Sequence, residues 1–372
     1  MKKVRLLDVC DVYQPQTIAT KLFIPDGKYM VYGANGEIGR YDKYNHEEPE
    51  LLMACRGATC GAINISKPYS WINGNAMVIH PNGKVDLNKD HLKYYLVSVN
   101  KDSIISGTAQ PQITRQNLKD FKIIICDIDT QKQIVQQIEE QLSKLDSAVK
   151  TLKKTKQQLE VYRQAVLKEA FQHFTSIKPI REKASLVTSG SRGWAKFYND
   201  KGARFIRIGN LNRENININL QDVQYVKLPD NAEGTRSKLE AGDILVSITA
   251  DLGSIGLVRE NIGEAYINQH IALVRLKNKI QSEFIAWYLR SDIGQKQLLK
   301  NKRGAGKLGL GLDDIRDTLI PDVSSEIAFI TIRKIEEKLS VCNSIEQTVN
   351  QSLQQAEALR QSILKQAFEG ML

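Results

Sequence analysis

The most basic glycine-rich stretch of the chain is the first place to look for chemistry. It reads KNKRGAGKLGLG at residues 300–311. A phosphate-binding P-loop ends in GK followed by serine or threonine, and the hydroxyl of that last residue binds magnesium. Here Leu308 follows Lys307. Because the magnesium ligand is missing, the stretch is not predicted to be a P-loop.

The sequence contains no other convincing catalytic motif. A nuclease of the PD…(D/E)xK type could be assembled from Pro321, Asp322, Glu336 and Lys338. However, Glu336 falls in a long helical segment and recurs as Glu139, which no PD pair precedes, so we interpret the match as a coincidence. The histidines include no HExxH pattern and no pair at metal-ligand spacing. We therefore expect no catalytic centre and no metal site in this chain.

The cysteines indicate reduced thiols. Their odd number and wide spacing, without a CxxC pair, argue against a disulfide framework and against a zinc site. They are Cys10, Cys55, Cys60, Cys126 and Cys342.

Composition restricts the class of protein. Of the 372 residues, 42% are hydrophobic and 25% are charged, which is typical of a globular chain with two or three domains. No apolar run approaches the roughly 20 residues needed to cross a bilayer. Asp8 and Asp11 lie where a signal peptide needs an apolar core. We therefore expect a cytoplasmic protein.

The formal net charge of +10 suits a polyanionic partner such as DNA. Its distribution is uneven, because segments 1–130, 131–173, 174–323 and 324–372 carry +2, +3, +6 and −1. A basic protein with an unrelated task can carry a similar charge, so charge alone does not decide for DNA. The nearly neutral last segment is not predicted to bind it.

One long helix occurs twice in the sequence. Residues 138–171 and 335–368 align without gaps, with 16 identities in 34 positions at an offset of 197 residues. Self-similarity of this degree indicates an internal duplication. Apolar positions in both copies step by three and four residues, which is the period of a coiled coil.

Each helix is predicted to bury one seam of side chains. Arg163 and Arg360 interrupt the seam at matching positions, and Lys156 and Glu346 interrupt it once each. The two arginines are candidates either for a partner contact or for a polar pair that sets the register. The apolar seam positions are Leu142, Leu145, Val149, Leu152, Leu159, Val166, Leu339, Val349, Leu353 and Ile363.

Since each helix has a near-copy in the same chain, the two helices are predicted to pair with each other. A parallel pair would crowd both intervening globules at one end, whereas an antiparallel pair relates the halves by an approximate twofold axis. We therefore expect the antiparallel arrangement. Two separate amphipathic packing helices remain the alternative.

The globular segments repeat more faintly. Short β-rich runs broken by glycine and asparagine predict mainly β globules with some helix. The predicted fold class is α+β, with two mainly β globules and two long helices in an antiparallel coiled coil of pseudo-twofold symmetry. The predicted domains are 1–130, 131–174, 175–323 and 324–372. The repeated pairs are 51–63 with 244–258, 72–79 with 267–274, 94–98 with 287–291, and 118–125 with 315–322.

Several further motifs occur in consecutive order along the chain. They are YGANGEIGRYDKYN at 32–45, ELLMACRGATCGAINIS and SWINGNAMV within 50–78, QPQITRQNLKDFKI at 110–123, and the helix ends RQAVLKEAF and RQSILKQAF. With these motifs the chain resembles, over essentially its full length, the specificity (S) subunit of type I restriction–modification systems. In the second globule the resembling motifs are weaker, apart from FIRIGNLN at 205–212, 241–258 and 267–276.

The resemblance implies a DNA-binding adaptor without chemistry of its own. In that family each globule is a target-recognition domain that reads one half of a split, asymmetric DNA site, and the helix pair sets the spacer. Two methyltransferase (M) subunits dock along the helices and use S-adenosylmethionine to methylate adenine N6, which requires base flipping. Motor–nuclease restriction (R) subunits, which use ATP and magnesium, join them. No cofactor is expected in this chain itself.

Base edges are read mostly by Arg, Lys, Asn, Gln, Ser and Thr side chains. The alternative for Asn73 and Asn75 is that they cap turns. Lys302, Arg303 and Lys307 suit phosphate contacts, which position a duplex rather than read it. The candidate base readers are Asn35, Arg40, Arg56, Thr59, Asn73, Asn75, Gln110 and Gln112 in the first globule, and Arg207, Asn210, Thr249, Asn268, Gln269 and His270 in the second.

Two other hypotheses remain at this point. A coiled-coil scaffold or dimerisation protein without specific DNA binding accounts for the helices but not for two diverged, basic globules with Gly/Asn loops. A related system in which methylase and nuclease are fused would use the same S-like chain, and the neighbouring genes would distinguish it.

Overall fold

The chain forms two compact units, and the first of them joins both ends of the sequence. Unit 1 comprises Met1–Lys153 with Asn350–Leu372, and unit 2 comprises Lys154–Val349. The computed structural model describes residues 2–107, 109–228, 235–300, 302 and 309–369. The predicted domains place whole helices between globules, whereas here each unit contains a part of both long helices.

Unit 1 contains short strands followed by helices. The helices are α1 (Leu6–Val9), α2 (Lys89–Ser98) and the first part of α3 (Ile128–Phe171). The strands are β1 (Lys2–Arg5), β2 (Cys10–Tyr13), β3 (Tyr29–Gly33), β4 (Gly36–Tyr41), β5 (Leu51–Ala54), β6 (Ile63–Ile65), β7 (Trp71–Ile72), β8 (Ala76–Pro81) and β9 (Lys122–Ile125).

The strands of unit 1 form three small sheets, and β5 is an interior strand of the four-stranded one. The sheet orders are β2-β8-β5-β6 and β4-β3-β7, and β1 pairs with β9. All four residues of β5 are buried. Successive side chains of a strand point to opposite faces, so Leu51 and Met53 pack in one apolar cluster while Leu52 packs with Ile72 and Val78 in another. Both faces of this sheet are therefore covered.

Unit 2 has a similar content of strands and helices. Its helices are α4 (Ile180–Lys183), α5 (Ser282–Arg290), α6 (Asp292–Leu298), α7 (Leu312–Asp317) and the first part of α8 (Ser325–Glu369). Its strands are β10 (Ile177–Pro179), β11 (Ala184–Ser189), β12 (Tyr198–Asn199), β13 (Ala203–Ile206), β14 (Gln224–Val226), β15 (Ile244–Ser247), β16 (Ile255–Leu257), β17 (Ala265–Ile267), β18 (Ile271–Leu276) and β19 (Leu319–Pro321).

The two units share one topology. The orders β11-β18-β15-β16 and β12-β14-β13-β17, with β10 paired to β19, repeat the sheets of unit 1 and extend the smaller one by a strand. A parallel pair recurs as β3 with β7 and β13 with β17. The faint sequence repeats fall on these matching elements. The predicted α+β class, with mainly β globules and long helices, is confirmed.

The long helices run antiparallel. In unit 2, Arg163 of α3 meets Glu346 of α8, and six residues later along α3 Glu169 meets Lys338. In unit 1, Ile138 and Leu142 of α3 share an apolar cluster with Ile363 and Ala367 of α8, and Asp146 pairs with Arg360. All the predicted apolar seam residues are buried or half-buried, at the spacing of three and four that the sequence predicts.

The polar residues of the seam contact one another. Arg163 donates to Glu346 Oε2 at 2.6 Å and to Asn343 Oδ1 at 2.8 Å. Lys156 Nζ lies 3.8 Å from Glu346 Oε1. Applying the 197-residue offset of the repeat, Asn343 corresponds to Asp146, so Arg360 and Arg163 make equivalent contacts. Each arginine therefore contacts a polar or acidic side chain of the opposite helix.

The helix limits differ from the predicted segments 131–174 and 324–372. α3 begins earlier because Asp127 caps it: the Thr130 N–H donates to Asp127 Oδ1 at 2.9 Å and the Thr130 hydroxyl donates to Oδ2 at 2.7 Å. These hydrogen bonds lower the pKa of Asp127. α3 ends at Phe171, and α8 begins at Ser325 after a cap from the Ser324 hydroxyl.

Replacing Arg163 with methionine should lower stability more than the matching change at Arg360. The Arg163 and Glu346 side chains are 13% and 24% exposed, so removing the arginine leaves a half-buried carboxylate with only the more distant Lys156, at a cost of about 1–3 kcal/mol. The Asp146 side chain is 59% exposed, and surface pairs contribute only about 0–1 kcal/mol. Thermal unfolding of both variants measures the difference. Equal losses would contradict a buried polar layer at Arg163.

Candidate nucleic-acid interface

A hairpin tip in unit 1 brings several predicted base readers together. It connects β5 to β6, and main-chain hydrogen bonds tie it to two other loops. The Gly57 N–H donates to the Pro111 carbonyl at 3.0 Å, and Arg56 forms a bridge with Gln112. The Cys55 N–H donates to the Asn75 carbonyl at 3.1 Å. Exposed side chains around this tip are Arg56, Thr59, Asn75, Gln110 and Gln112.

The corresponding tip in unit 2 connects β15 to β16 and is held by the same kinds of bond. The Ile248 N–H donates to the His270 carbonyl at 2.9 Å, as Cys55 does to Asn75. Thr249 forms a bridge with Gly309, as Arg56 does with Gln112. The Leu310 N–H donates to the Ile248 carbonyl at 2.9 Å. Each tip therefore rests on equivalent loops in its own unit.

Three side chains of unit 2, those of Thr249, His270 and Gln269, form a short chain of hydrogen bonds beside the tip, which we call the relay. His270 Nδ1 lies 2.6 Å from the Thr249 hydroxyl oxygen, and His270 Nε2 lies 2.9 Å from Gln269 Nε2. Because an amide nitrogen only donates, His270 accepts from Gln269 at Nε2, and this tautomer leaves an Nδ1–H that donates to the Thr249 hydroxyl. The His270 N–H donates to Asn268 Oδ1 at 3.2 Å. This relay fixes the Gln269 amide, whose oxygen accepts no hydrogen bond from the described residues.

An ion pair that the sequence did not indicate holds the unit 2 tip. Arg213 donates to Asp251 Oδ1 at 2.9 and 2.5 Å and to the Leu252 carbonyl at 2.7 Å. The guanidinium lowers the pKa of Asp251, whose other oxygen accepts from the Ser254 hydroxyl. Ala250 within the tip has φ of +60°, matching Gly57 at +84° in unit 1. No local pattern connects Arg213 to Asp251.

Two predicted base readers are buried. Asn73 is 4% exposed, and its side chain accepts from the Ile18 N–H at 2.9 Å and donates to the Ile18 carbonyl at 3.3 Å. Asn210 is 3% exposed and donates to the Asn219 and Asp222 carbonyls. Both amides therefore join loops of the framework, and we leave them out of the reading surface proposed below.

The remaining predicted residues are dispersed. Asn35 is exposed at the turn between β3 and β4, and Arg40 on β4 donates to the Gly27 and Lys28 carbonyls. Arg207 is half-buried, and its N–H donates to Asn210 Oδ1. Lys302 is exposed. Arg303 and Lys307 lie outside the described residues.

Other kinds of site are not formed by the residues that the structure describes. No group of three or more His, Cys, Asp or Glu side chains there could hold a metal ion. Among the same residues, none of the helices combines the length and the apolar character of a membrane span. All five cysteines are free.

The fold is shared with solved structures of type I restriction–modification proteins. One, from a study of complex assembly and conformational transition of the type I R-M system, matches with a TM-score of 0.74 at 15% identity, over 100% of this chain and 98% of that one. The HsdS subunit from Thermoanaerobacter tengcongensis matches with a TM-score of 0.51 at 16% identity, over 100% and 97%.

The sequence defines the family. The model of the type I restriction modification DNA specificity domain matches residues 1–161 and 179–355, so the chain belongs to this family. The Escherichia coli EcoBI specificity subunit is 24% identical, over 75% of this chain and 64% of its own length. The Salmonella potsdam StySPI specificity subunit is 27% identical, over 85% and 68%. The chain thus spans about two thirds of these relatives.

Alanine at Asn73 should destabilise unit 1, whereas alanine at Asn75 should not. The Asn73 amide is buried and bonds both main-chain groups of Ile18, so its loss leaves buried groups unsatisfied at a cost of about 1–3 kcal/mol. The Asn75 side chain is exposed and serves as the matched control. Thermal unfolding checks both variants. An unchanged midpoint for Asn73→Ala would contradict the framework role.

Proposed function

We propose that this chain is the DNA specificity subunit of a type I restriction–modification enzyme. Each unit reads one half of a bipartite, asymmetric site through its hairpin tip. The observation that carries the proposal is the repetition of the tips: their main-chain hydrogen bonds are equivalent, but their side chains differ. A repeated frame with different side chains suits two readers with different targets.

The side chains at the tips have the chemistry of base recognition. Arg56 in unit 1 suits the O6 and N7 acceptors of guanine, and Gln112 beside it suits adenine. In unit 2 the relay from Thr249 through His270 leaves the Gln269 amide oxygen and one N–H for a base edge. The exposed Lys302 suits a phosphate contact, with Arg303 and Lys307 in the same basic stretch.

The catalytic steps belong to partner subunits in this proposal. Two methyltransferase subunits supply S-adenosylmethionine and methylate adenine N6 in each half-site, and restriction subunits supply ATP- and magnesium-dependent cleavage. The chain itself is a non-catalytic, cytoplasmic adaptor. Support for protein docking comes from apolar side chains on the helices outside the seam. Val161 is 71% exposed, Val341 58% and Leu359 50%.

The alternatives give different results in one experiment. A coiled-coil scaffold without DNA specificity would not direct methylation to defined sites. An S-like chain of a fused methylase–nuclease would direct it, but with a single partner polypeptide. The test is reconstitution of the chain with the methyltransferase encoded beside it, followed by sequencing of methylated adenines. Absence of sequence-specific methylation would overturn the proposal.

Substitutions at the two tips should alter different halves of the methylated sequence. Arg56→Ala and Gln112→Ala should relax one half, and Gln269→Ala should relax the other, because a lost bidentate contact costs about 1–3 kcal/mol of discrimination. The exposed Arg115 and Gln221 provide matched control variants. Sequencing of methylated adenines reports both halves. A variant that changed both halves equally would contradict independent reading.

A heptad inserted into α3 and matched by one in α8 should lengthen the spacer between the half-sites. Seven helical residues add about 10 Å, which is close to three base pairs of B-DNA. An insertion in α3 alone shifts the contacts between α3 and α8 on one side of the insertion and should lower stability instead. Sequencing of methylated sites reads the spacer directly. An unchanged spacer in a folded double insertion would argue against a spacing role for the helices.

A further inference from the structure

A cleft in unit 2 contains arginines that the proposed DNA contacts do not use. It has a volume of about 390 Å³ and lies between α3 and the sheet-rich part of the unit. Three arginines line it, namely Arg163, Arg213 and Arg290. Volumes of roughly 300–1,000 Å³ are typical of small-molecule sites.

Among the described residues, only one of these arginines forms no direct ion pair. Arg163 pairs with Glu346, and Arg213 pairs with Asp251. Arg290 ends α5, and no described carboxylate oxygen lies within 4 Å of its guanidinium. Its Nε is buried without a hydrogen-bond partner. Burial, and then the neighbouring Arg213, lower the pKa of Arg290, and the more weakly acting carboxylates of Asp292 and Glu214 only partly oppose this.

A buried arginine without a direct ion pair is unfavourable unless another group supplies an acceptor. Guanidinium groups stay charged at all physiological pH values, so Arg290 cannot relieve its desolvation by losing a proton. A buried donor without a partner costs about 1–3 kcal/mol. An oxyanion in the cleft would supply a direct ion pair and an acceptor for the Nε–H.

The rest of the lining restricts the ligand. Gln164 Oε1 is also buried without a hydrogen-bond partner, so it calls for a donor. Glu160 and Glu214 contribute carboxylates to the wall. They oppose a polyanion such as duplex DNA but accept hydrogen bonds from hydroxyl or amino groups. The cleft thus matches a small molecule with one anionic group and several donors.

We propose that this cleft is a binding site for a small oxyanion ligand, with its phosphate or carboxylate on Arg290 and a hydrogen-bond donor on Gln164. Arg fits both anions because its planar fork donates two parallel hydrogen bonds. A nucleoside monophosphate has the required size, anionic group and donors. Arg213 lines this cleft and also holds the hairpin tip, but none of the side chains proposed to read DNA lines the cleft.

The test is thermal unfolding of the full chain in increasing phosphate, acetate or AMP, with sodium chloride at matched ionic strength. We expect a saturable rise in the midpoint of at least about 2 °C with the preferred anion. Arg290→Met should lose the rise and be at least as stable as the wild type without ligand, because it removes a buried donor that has no acceptor. Arg192→Met, at an exposed position, should keep the rise.

Comparison of the three anions distinguishes a phosphorylated ligand from a carboxylate. A larger effect of phosphate and AMP than of acetate assigns a phosphorylated ligand, and the reverse order assigns a carboxylate. If Arg290→Met does not fold, Arg290→Lys carries the comparison and should weaken the response several-fold. The proposal is overturned if no anion raises the wild-type midpoint, or if Arg290 variants respond like the wild type. It is also overturned if Arg290→Met or Arg290→Lys weakens duplex binding as strongly as phosphate binding.

Discussion

Each long helix carries an apolar stripe that it cannot bury alone, and the antiparallel partner supplies the missing surface. In unit 1 the stripe of α3 around Ile138 packs against Ile363, which comes from the opposite end of the chain. In unit 2, Val166 of α3 and Ile335 of α8 join the same apolar core as the strands. Each unit is therefore complete only when both helices are in place, and the sheets depend on the pairing as much as the helices do.

Polar contacts make this pairing specific. A stripe of Leu and Val presents the same kind of surface in every heptad, so apolar packing alone tolerates a shift of seven residues. Arg163 meets Glu346 and Asn343 in one register only. Shifting the helices would leave these charges apart in half-buried surroundings, which is costly. The duplicated arginines thus stabilise one alignment in each unit.

Local patterns predict the helices and the correspondence of the strands, because periodicity and repetition are properties of contiguous sequence. They fail where a side chain meets a distant loop. Asn73 and Asn75 are the same residue type and lie two positions apart, yet only Asn73 is buried and bonded to Ile18. The pairing of Arg213 with Asp251 is equally remote. Residue type therefore indicates what a side chain could contact, whereas burial decides whether it is free to do so.

The hairpin tips explain how one topology accommodates two surfaces. Their frames consist of main-chain hydrogen bonds, which do not depend on the side chains, so Arg56 in one unit can be Thr249 in the other. Retaining the same frame strains the backbone of the unit 2 tip. Ala250 has φ of +60°, which is about 1 kcal/mol less favourable for alanine than for glycine. The bonds from Arg213 to Asp251 and Leu252 offset it by holding the tip. Surface chemistry can thus diverge after duplication while the hairpin geometry is retained.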